Sequence, residues 1–353
     1  MLDLGAASGM GRPMESLTLP GAATPDMTPP AGAPAFLAAH GWGGADILPL
    51  AGDASFRRYF RVRMGERGAV LMDAPPPHED PRPFLAIARW LVERGFPAPA
   101  ILASDEAAGL VLIEDFGDAR MREAIDAAPH AATDLYAAAI DLLVALRGHP
   151  AGALRPYDRR ELHREAALLT EWYCPAIGLN VDVAGYTRAW GDVFGRWVDA
   201  PPVVVLRDYH AENLMLPGDG RVLGLLDFQD ALAGHPAYDL VSLLQDARRD
   251  VEPSLEDMML ARYRQATGEG DDFLDAYHVL GAQRNAKIIG IFTRLWKRDG
   301  KPRYPGMCPR VWAYLERDLS FPALAPVADW FDANIPPELR GDPMVLSGTD
   351  ARA

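Results

Sequence analysis

Cysteine is almost missing: the 353 residues hold two, Cys174 and Cys308. A single pair cannot build a disulfide framework, and no Cys/His cluster with zinc-ligand spacing accompanies it. Both therefore read as buried small residues of a protein in a reducing compartment. Long apolar runs are missing as well. No stretch approaches the ~20 residues of a membrane helix, and the N-terminus has neither the basic region nor the unbroken apolar segment of a signal peptide, so a cytoplasmic protein is expected. Positive charge is in short supply: 35 Lys and Arg stand against 49 Asp and Glu, a formal net charge of -14. That balance argues against a general binder of nucleic acid or of anionic membranes, and any anionic ligand must be held by local charge and metal. The remainder is that of an ordinary globular protein, 49% hydrophobic and 24% charged, at a length that suits two domains.

Residues 1–33 are rich in Gly, Ala, Pro, Met and Thr and carry few large apolar groups. They cannot offset the entropy of ordering, so a disordered tail is expected. Strands are expected at Ile47–Leu50, Phe56–Val62 and Ala69–Met72, separated by the turn Gly52-Asp53-Ala54-Ser55 and by Met64–Gly68. Apolar residues at Phe84, Leu85, Ile87, Ala88, Leu91 and Val92 have helical spacing, and Gly95-Phe96-Pro97 stops that helix. Strands at Ala100–Ala103 and Leu110–Ile113 follow, ending in Glu114-Asp115-Phe116-Gly117. Beyond Gly117 helices dominate, at Thr133–Arg147, Glu161–Tyr173, Val183–Trp197, Tyr238–Asp246, Leu255–Thr267 and Phe273–Arg298. The expected division is a tail (1–33), a small α+β lobe with a five-stranded antiparallel sheet (34–117), a larger mainly helical lobe (118–340) and a second tail (341–353). The cleft between lobes is the natural ligand site.

One hairpin interrupts the helices, and it carries the chemistry. Val203-Val204-Val205-Leu206 reads as a buried strand that delivers Arg207-Asp208-Tyr209-His210-Ala211-Glu212-Asn213 at its C-terminal end. Leu214-Met215-Leu216 and Arg221–Leu226 flank Pro217-Gly218-Asp219-Gly220, a hairpin signature. If Leu216 pairs with Arg221, the antiparallel count sets Asp227 opposite His210. Phosphoryl transfer needs a carboxylate to take a hydroxyl proton and oxygen ligands for magnesium on the nucleotide phosphates. Asp208 fits the base, and Asn213 and Asp227 fit the ligands.

On these residues the chain resembles the aminoglycoside phosphotransferase superfamily, relatives of the protein kinases. Asp208, His210 and Asn213 match its D-x-H-x-x-N loop, Asp227-Phe228 matches its metal aspartate, and Asp239 matches the aspartate that braces the loop. A narrower resemblance rests on Gly52-Asp53-Ala54-Ser55-Phe56-Arg57-Arg58-Tyr59-Phe60, Met72-Asp73-Ala74-Pro75-Pro76, Phe228-Gln229-Asp230-Ala231 and Gly290-Ile291-Phe292-Thr293-Arg294-Leu295. These look like the anomeric N-acetylmuramate/N-acetylglucosamine kinases of bacterial cell-wall recycling. The resemblance implies a bilobal protein-kinase-like fold, ATP and Mg2+ as cofactors, and an amino sugar phosphorylated at C1; a monomer is expected, with no nucleic-acid or membrane partner. Other acceptors remain open, including an aminoglycoside, choline-like or homoserine-like alcohol, as does a non-catalytic nucleotide-binding regulator.

The resemblance also distributes roles. Ser55, Phe56, Arg57 and Arg58 surround the turn that should cover the phosphates, and Glu114 and Asp115 reach the connector that offers backbone groups to adenine. Met72 and Phe84 occupy the positions of the usual phosphate lysine and its glutamate partner, so Arg57 or Arg58 is expected to neutralise phosphate, unless both lie on a solvated strand face. Alternation points only one of them into the cleft. Gln229 and Asp230 are expected to face the sugar, with Arg284 and Lys287 either reading a substrate carboxylate or forming a solvated basic helix face. Arg207, His210 and Asp239 are expected to support the loop, His210 by hydrogen bonding to backbone.

Overall fold

The computed structural model describes residues 27–50 and 57–349. Ser55, Phe56 and most of the N-terminal segment expected to be a tail lie outside the described residues. The small lobe runs α1 (Ala33–Ala39), β1 (Asp46–Pro49), β2 (Arg58–Met64), β3 (Arg67–Asp73), α2 (Arg82–Glu93), β4 (Ile101–Asp105) and β5 (Leu110–Ile113). Its five strands form one antiparallel sheet in the order β1-β2-β3-β5-β4. Alternation along β3 and β5 sends Val70, Met72, Val111 and Ile113 to one face, against Phe84, Leu85, Ala88 and Leu91 of α2. The opposite face carries Phe60, Val62, Ala69, Leu71, Leu110 and Leu112 and is covered by Ala33, Phe36 and Leu37 of α1 together with Trp42. Helix α1 begins where a tail was expected to end, with Ala33, Phe36 and Leu37 on its buried side.

The second lobe comprises α3 (Met121–Ala127), α4 (Ala132–Arg147), α5 (Arg159–Ala166), α6 (Cys174–Ala176), α7 (Val183–Trp197), β6 (Val203–Val205), β7 (Leu214–Met215), β8 (Gly224–Leu225), β9 (Leu232–Gly234), α8 (Ala237–Leu244), α9 (Pro253–Thr267), α10 (Asp271–Lys297), α11 (Cys308–Leu319), α12 (Ala325–Asn334) and α13 (Pro343–Thr349). Helix α13 lies within the segment expected to be a C-terminal tail. The single helix expected over Glu161–Tyr173 is divided: α5 ends at Ala166 and a wide π-helical turn spans Leu169–Tyr173. Between them α10 packs tightly, since a Cβ on Gly290 would lie 2.3 Å from the carbonyl carbon of Leu168. Tertiary packing has overridden local helical periodicity there.

Between the lobes the connector is held from both sides. Arg61 on β2 pairs with Asp115 at 2.8 Å and with Asp118 at 2.9 Å. Arg221, from the second lobe, pairs with Glu114 and lies over the Phe116 ring. Phe116 is seated on Gly224, where a Cβ would meet the ring at 2.6 Å. The carboxylates of Glu114 and Asp115 are thus occupied in bracing the connector.

Candidate active site

Strand β6 is paired with β9, Val203 with Gly234 through Val205 with Leu232, and ends at the loop 206–213. Two residues of the centre adopt the left-handed backbone region that side chains rarely enter, Arg207 at φ 72° and Asp227 at φ 58°. Asp239, buried at the start of α8, holds the first of these: it accepts from the Leu206 N–H at 2.6 Å and the Arg207 N–H at 2.8 Å. Burial pushes the Asp239 carboxyl up to about 7 against the pull of those two bonds. Ser242, one turn along α8, donates to the Arg207 carbonyl at 3.0 Å.

Asn213 joins the three groups singled out from sequence. Its Nδ2 donates to the Asp208 carbonyl at 2.9 Å and reaches Asp227 Oδ2 at 3.4 Å, so Oδ1 is the atom it has left to offer. The other Asp227 oxygen accepts from Gln229 Nε2 at 2.8 Å. Hairpin β7–β8 brings Asp227 there, in a register different from the expected one. Leu214 pairs with Leu225 and Met215 with Gly224, which sets Asp227 opposite Glu212 rather than His210. The reason is a longer loop: Leu216 N–H bonds to the Ala119 carbonyl at 2.8 Å instead of to Arg221, and Asp219 captures the Arg221 N–H at 3.1 Å. A shift of two residues preserves the face, so the carboxylate still arrives at the loop.

His210 is buried, and its contacts are to side chains rather than to backbone. Its Nε2 accepts from Arg248 at 3.0 Å and lies 3.4 Å from Asn213 Nδ2. Burial, aided by Arg248, lowers its pKa to about 3, so the ring is neutral, and its Nε2 lone pair is taken up by the Arg248 guanidinium. Burial also pushes Asp208 upward, but the positive charges of Lys287, Arg284 and Arg207 outweigh it and hold the carboxyl below its ordinary value.

Several expected ligand contacts fall elsewhere. Arg58 turns to the outer face of the sheet, bonding Asp73 at 2.6 Å and the Thr28 carbonyl at 3.1 Å. Arg57 precedes it by one residue, on the alternate side with Tyr59 and Arg61, and pairs with Glu79 at 3.6 Å. Met72 and Phe84 are buried together in the core, with Phe84 stacked on Phe228 at 5.2 Å. Neither Arg284 nor Lys287 on α10 belongs to a solvated face. Arg284 is 4% exposed and donates to Ser242 Oγ at 2.8 Å, beneath the loop. Lys287 is bonded to Glu165 at 2.8 Å and to the Tyr238 hydroxyl at 3.2 Å. Gln229 pins Asp227, whereas Asp230 is exposed.

The same architecture recurs in a crystal structure of a choline/ethanolamine kinase family protein from Mesorhizobium loti, with a TM-score of 0.59 at 17% identity over 84% of this chain and 97% of that one. A choline kinase from Streptococcus pneumoniae matches with a TM-score of 0.53 at 13% identity, covering 79% and 93% of the two chains. Residues 46–277 match the family model of the phosphotransferase enzyme family. The chain belongs to that family. Among curated proteins, the N-acetylmuramate/N-acetylglucosamine kinase of Caulobacter vibrioides is 40% identical over 87% of this chain and 96% of its own length. The protein of the same description from Pseudomonas aeruginosa is 41% identical over 80% and 87%.

In this phosphotransferase the groups that sequence reasoning did not find are those that hold the loop from below. Glu165, 2% exposed, pairs with both Arg207 and Lys287 and accepts from the Tyr157 hydroxyl. Glu212, inside the loop, pairs with Arg122 of α3 and with Arg248 at 3.2 Å. No periodicity marks them, because each acts across elements distant in sequence. Glu165 carried one signal, a carboxylate on an otherwise buried helical stripe with Leu162 and Ala166.

Asn213 Oδ1 and the Asp227 carboxylate are hard oxygen donors suited to magnesium, which keeps only one or two protein ligands and completes its shell on phosphate and water. Among the described residues no group of three His, Cys, Asp or Glu could hold an ion alone. No helix of the described residues is long and apolar enough to cross a membrane.

Proposed function

We propose that this phosphotransferase transfers the γ-phosphoryl group of ATP to the anomeric C1 hydroxyl of N-acetylmuramate or N-acetylglucosamine, as a cytoplasmic, monomeric enzyme of peptidoglycan recycling. The observation that carries the reading is the Asn213 side chain bridging the Asp208 carbonyl and the Asp227 carboxylate. Base and cation ligands are thereby neighbours at one end of the hairpin. The acceptor is supported by the activity named for the two bacterial relatives, which match over most of their length.

In this reading Asp208 accepts the C1 hydroxyl proton as the sugar oxygen bonds to the γ-phosphorus and the bond from that phosphorus to the ADP oxygen breaks. A carboxylate held below its ordinary pKa is a weak base, and an anomeric hydroxyl, more acidic than a simple alcohol, suits it. Asn213 Oδ1 and the Asp227 carboxylate would hold magnesium, which would supply charge neutralisation on the nucleotide phosphates. Arg57, on the cleft side of the sheet, takes the place of the missing lysine and exchanges Glu79 for phosphate when nucleotide binds. The connector backbone after β5 meets adenine. Gln229 keeps Asp227 oriented, and Arg284 supports the loop rather than the substrate.

The test is an acceptor screen with Mg-ATP, reading ADP release for N-acetylmuramate, N-acetylglucosamine, an aminoglycoside, choline and homoserine. The reading expects turnover with the two amino sugars at least 100-fold above the others, about the discrimination that a polar pocket readily supplies. Preference for choline or an aminoglycoside would replace it.

A further inference from the structure

Helix α5 and the residues that follow it meet α10 along three consecutive turns. Gln283 Nε2 donates to the Leu162 carbonyl at 3.1 Å, Lys287 bonds Glu165 at 2.8 Å, and Gly290 lies against the Leu168 backbone so closely that a Cβ would overlap it. Residues 283, 287 and 290 share one face of α10, so the spacing of the two helices is set on either side of the central ion pair. Glu165 divides its two oxygens. Oε1 pairs with Arg207 and lies 3.7 Å from Arg164, while Oε2 pairs with Lys287 and accepts from the buried Tyr157 hydroxyl. Tyr157 also lies beneath the Arg207 guanidinium, 5.5 Å from ring centre to the guanidinium carbon. Its own backbone N–H is bonded to the Ala233 carbonyl on β9 at 2.7 Å.

We infer that Glu165 is a positioning residue for phosphoryl transfer, one buried carboxylate that holds both Lys287 and the guanidinium of Arg207, the residue immediately before the base Asp208. The inference rests on the reading of Asp208 as that base. Two cations share one buried anion, so their remaining positive charge is balanced by Asp208 itself. With Glu165 in place, Lys287 is held back on Tyr238 and Glu165, and the Asp208 carboxylate stays open to an incoming hydroxyl. With Glu165 neutral, Lys287 has no anion on its own side and collapses onto Asp208, closing the base off. Arg207, whose left-handed backbone aims Asp208, loses its side-chain tether at the same time.

The experiment is a double-mutant cycle with Glu165→Gln and Lys287→Met, measuring kcat and the KM for ATP separately. Glu165→Gln should lower kcat roughly 100-fold, the scale of an ångström-sized misplacement, with a much smaller change in the KM for ATP because Arg57 and the connector lie on other elements and Asn213 is held separately through Asp227. In the Lys287→Met background the same substitution should cost less than 10-fold, since the group through which it acts is gone. Glu165→Asp, which keeps the charge, should recover part of the loss. If Glu165→Gln fails to fold, Glu165→Asp takes its place as the single variant, and its loss of kcat should likewise shrink in the Lys287→Met background. Full kcat in Glu165→Gln, multiplicative losses in the double variant, or parallel change in kcat and ATP KM would overturn the inference. Wild-type inactivity on every acceptor would instead overturn the proposed function, and the cycle would then be read on ATP hydrolysis.

Discussion

Replacing Asp239 by Asn removes the carboxylate that holds the backbone at the entrance to the catalytic loop while changing its volume little. Asp239 accepts from two buried N–H groups, at 2.6 and 2.8 Å, and an amide oxygen can retain only one of them. Each hydrogen bond to a charged acceptor contributes about 1.5–3 kcal/mol. Against this stands the left-handed conformation of Arg207, φ 72°, which costs about 1–2 kcal/mol for a residue with a side chain. The two terms are of similar size, so losing one bond lets the loop relax to an ordinary backbone conformation. At ~1.4 kcal/mol per tenfold change, the competent loop population and kcat should fall roughly 10- to 100-fold. The KM for ATP should change little.

The pH dependence of the same group supplies a second reading. Burial raises Asp239 from the usual 3.8 to about 7, so the protonated form is the one the fold favours. Its contribution to stability is therefore full below the unfolded value near 3.8 and is lost as pH rises through about 7. Activity runs the opposite way, because only the carboxylate accepts from both N–H groups. Wild-type kcat, measured at saturating ATP and sugar between pH 5.5 and about 8.5, should rise with an inflection near 7. The variant Asp239→Asn should lose that inflection. Retention of kcat within about threefold, or an identical acid limb in the variant, would refute the bracing argument.

Arg57→Ala should raise the KM for ATP about tenfold, the order of one charge-assisted phosphate contact, whereas Arg58→Ala should leave it unchanged and lower thermal stability through loss of the Asp73 pair; kinetics and melting curves on the two variants separate them. Gly290→Ala should destabilise by about 1–3 kcal/mol, because the added methyl meets Leu168 backbone at 2.3 Å, and denaturant unfolding reads the loss directly. Asp227→Asn should weaken Mg-ATP binding at least tenfold by calorimetry while leaving metal-free ATP binding intact; equal effects on both would remove Asp227 from the cation site.

Much of this was legible in the sequence. The five strands are local, with alternation and turn residues close at hand, and Val183–Trp197 is helical over the range that its spacing predicted. Asp208, Asn213 and Asp227 could be joined from sequence because a short hairpin links them. Its register was not legible, because Leu216 spends its N–H on Ala119, a partner outside the hairpin. The roles of Arg284 and Lys287 were equally hidden. On a helix of 27 residues the direction of a basic side chain depends on what packs against it, and here that is α5 and α8, carrying Glu165 and Ser242. Arg58 illustrates the converse: strand alternation separated it from Arg57, but only the Thr28 and Asp73 contacts say which faces outward.

Phosphorus NMR of the product made from Mg-ATP and free N-acetylglucosamine, run beside the C1-blocked methyl glycoside, tests the central claim most directly. The account predicts an anomeric phosphate from the free sugar, none from the glycoside, and loss of the signal by roughly two to four powers of ten in Asp208→Asn, the cost of removing a general base. A phosphate at C6, or phosphorylation of the blocked sugar, would contradict it.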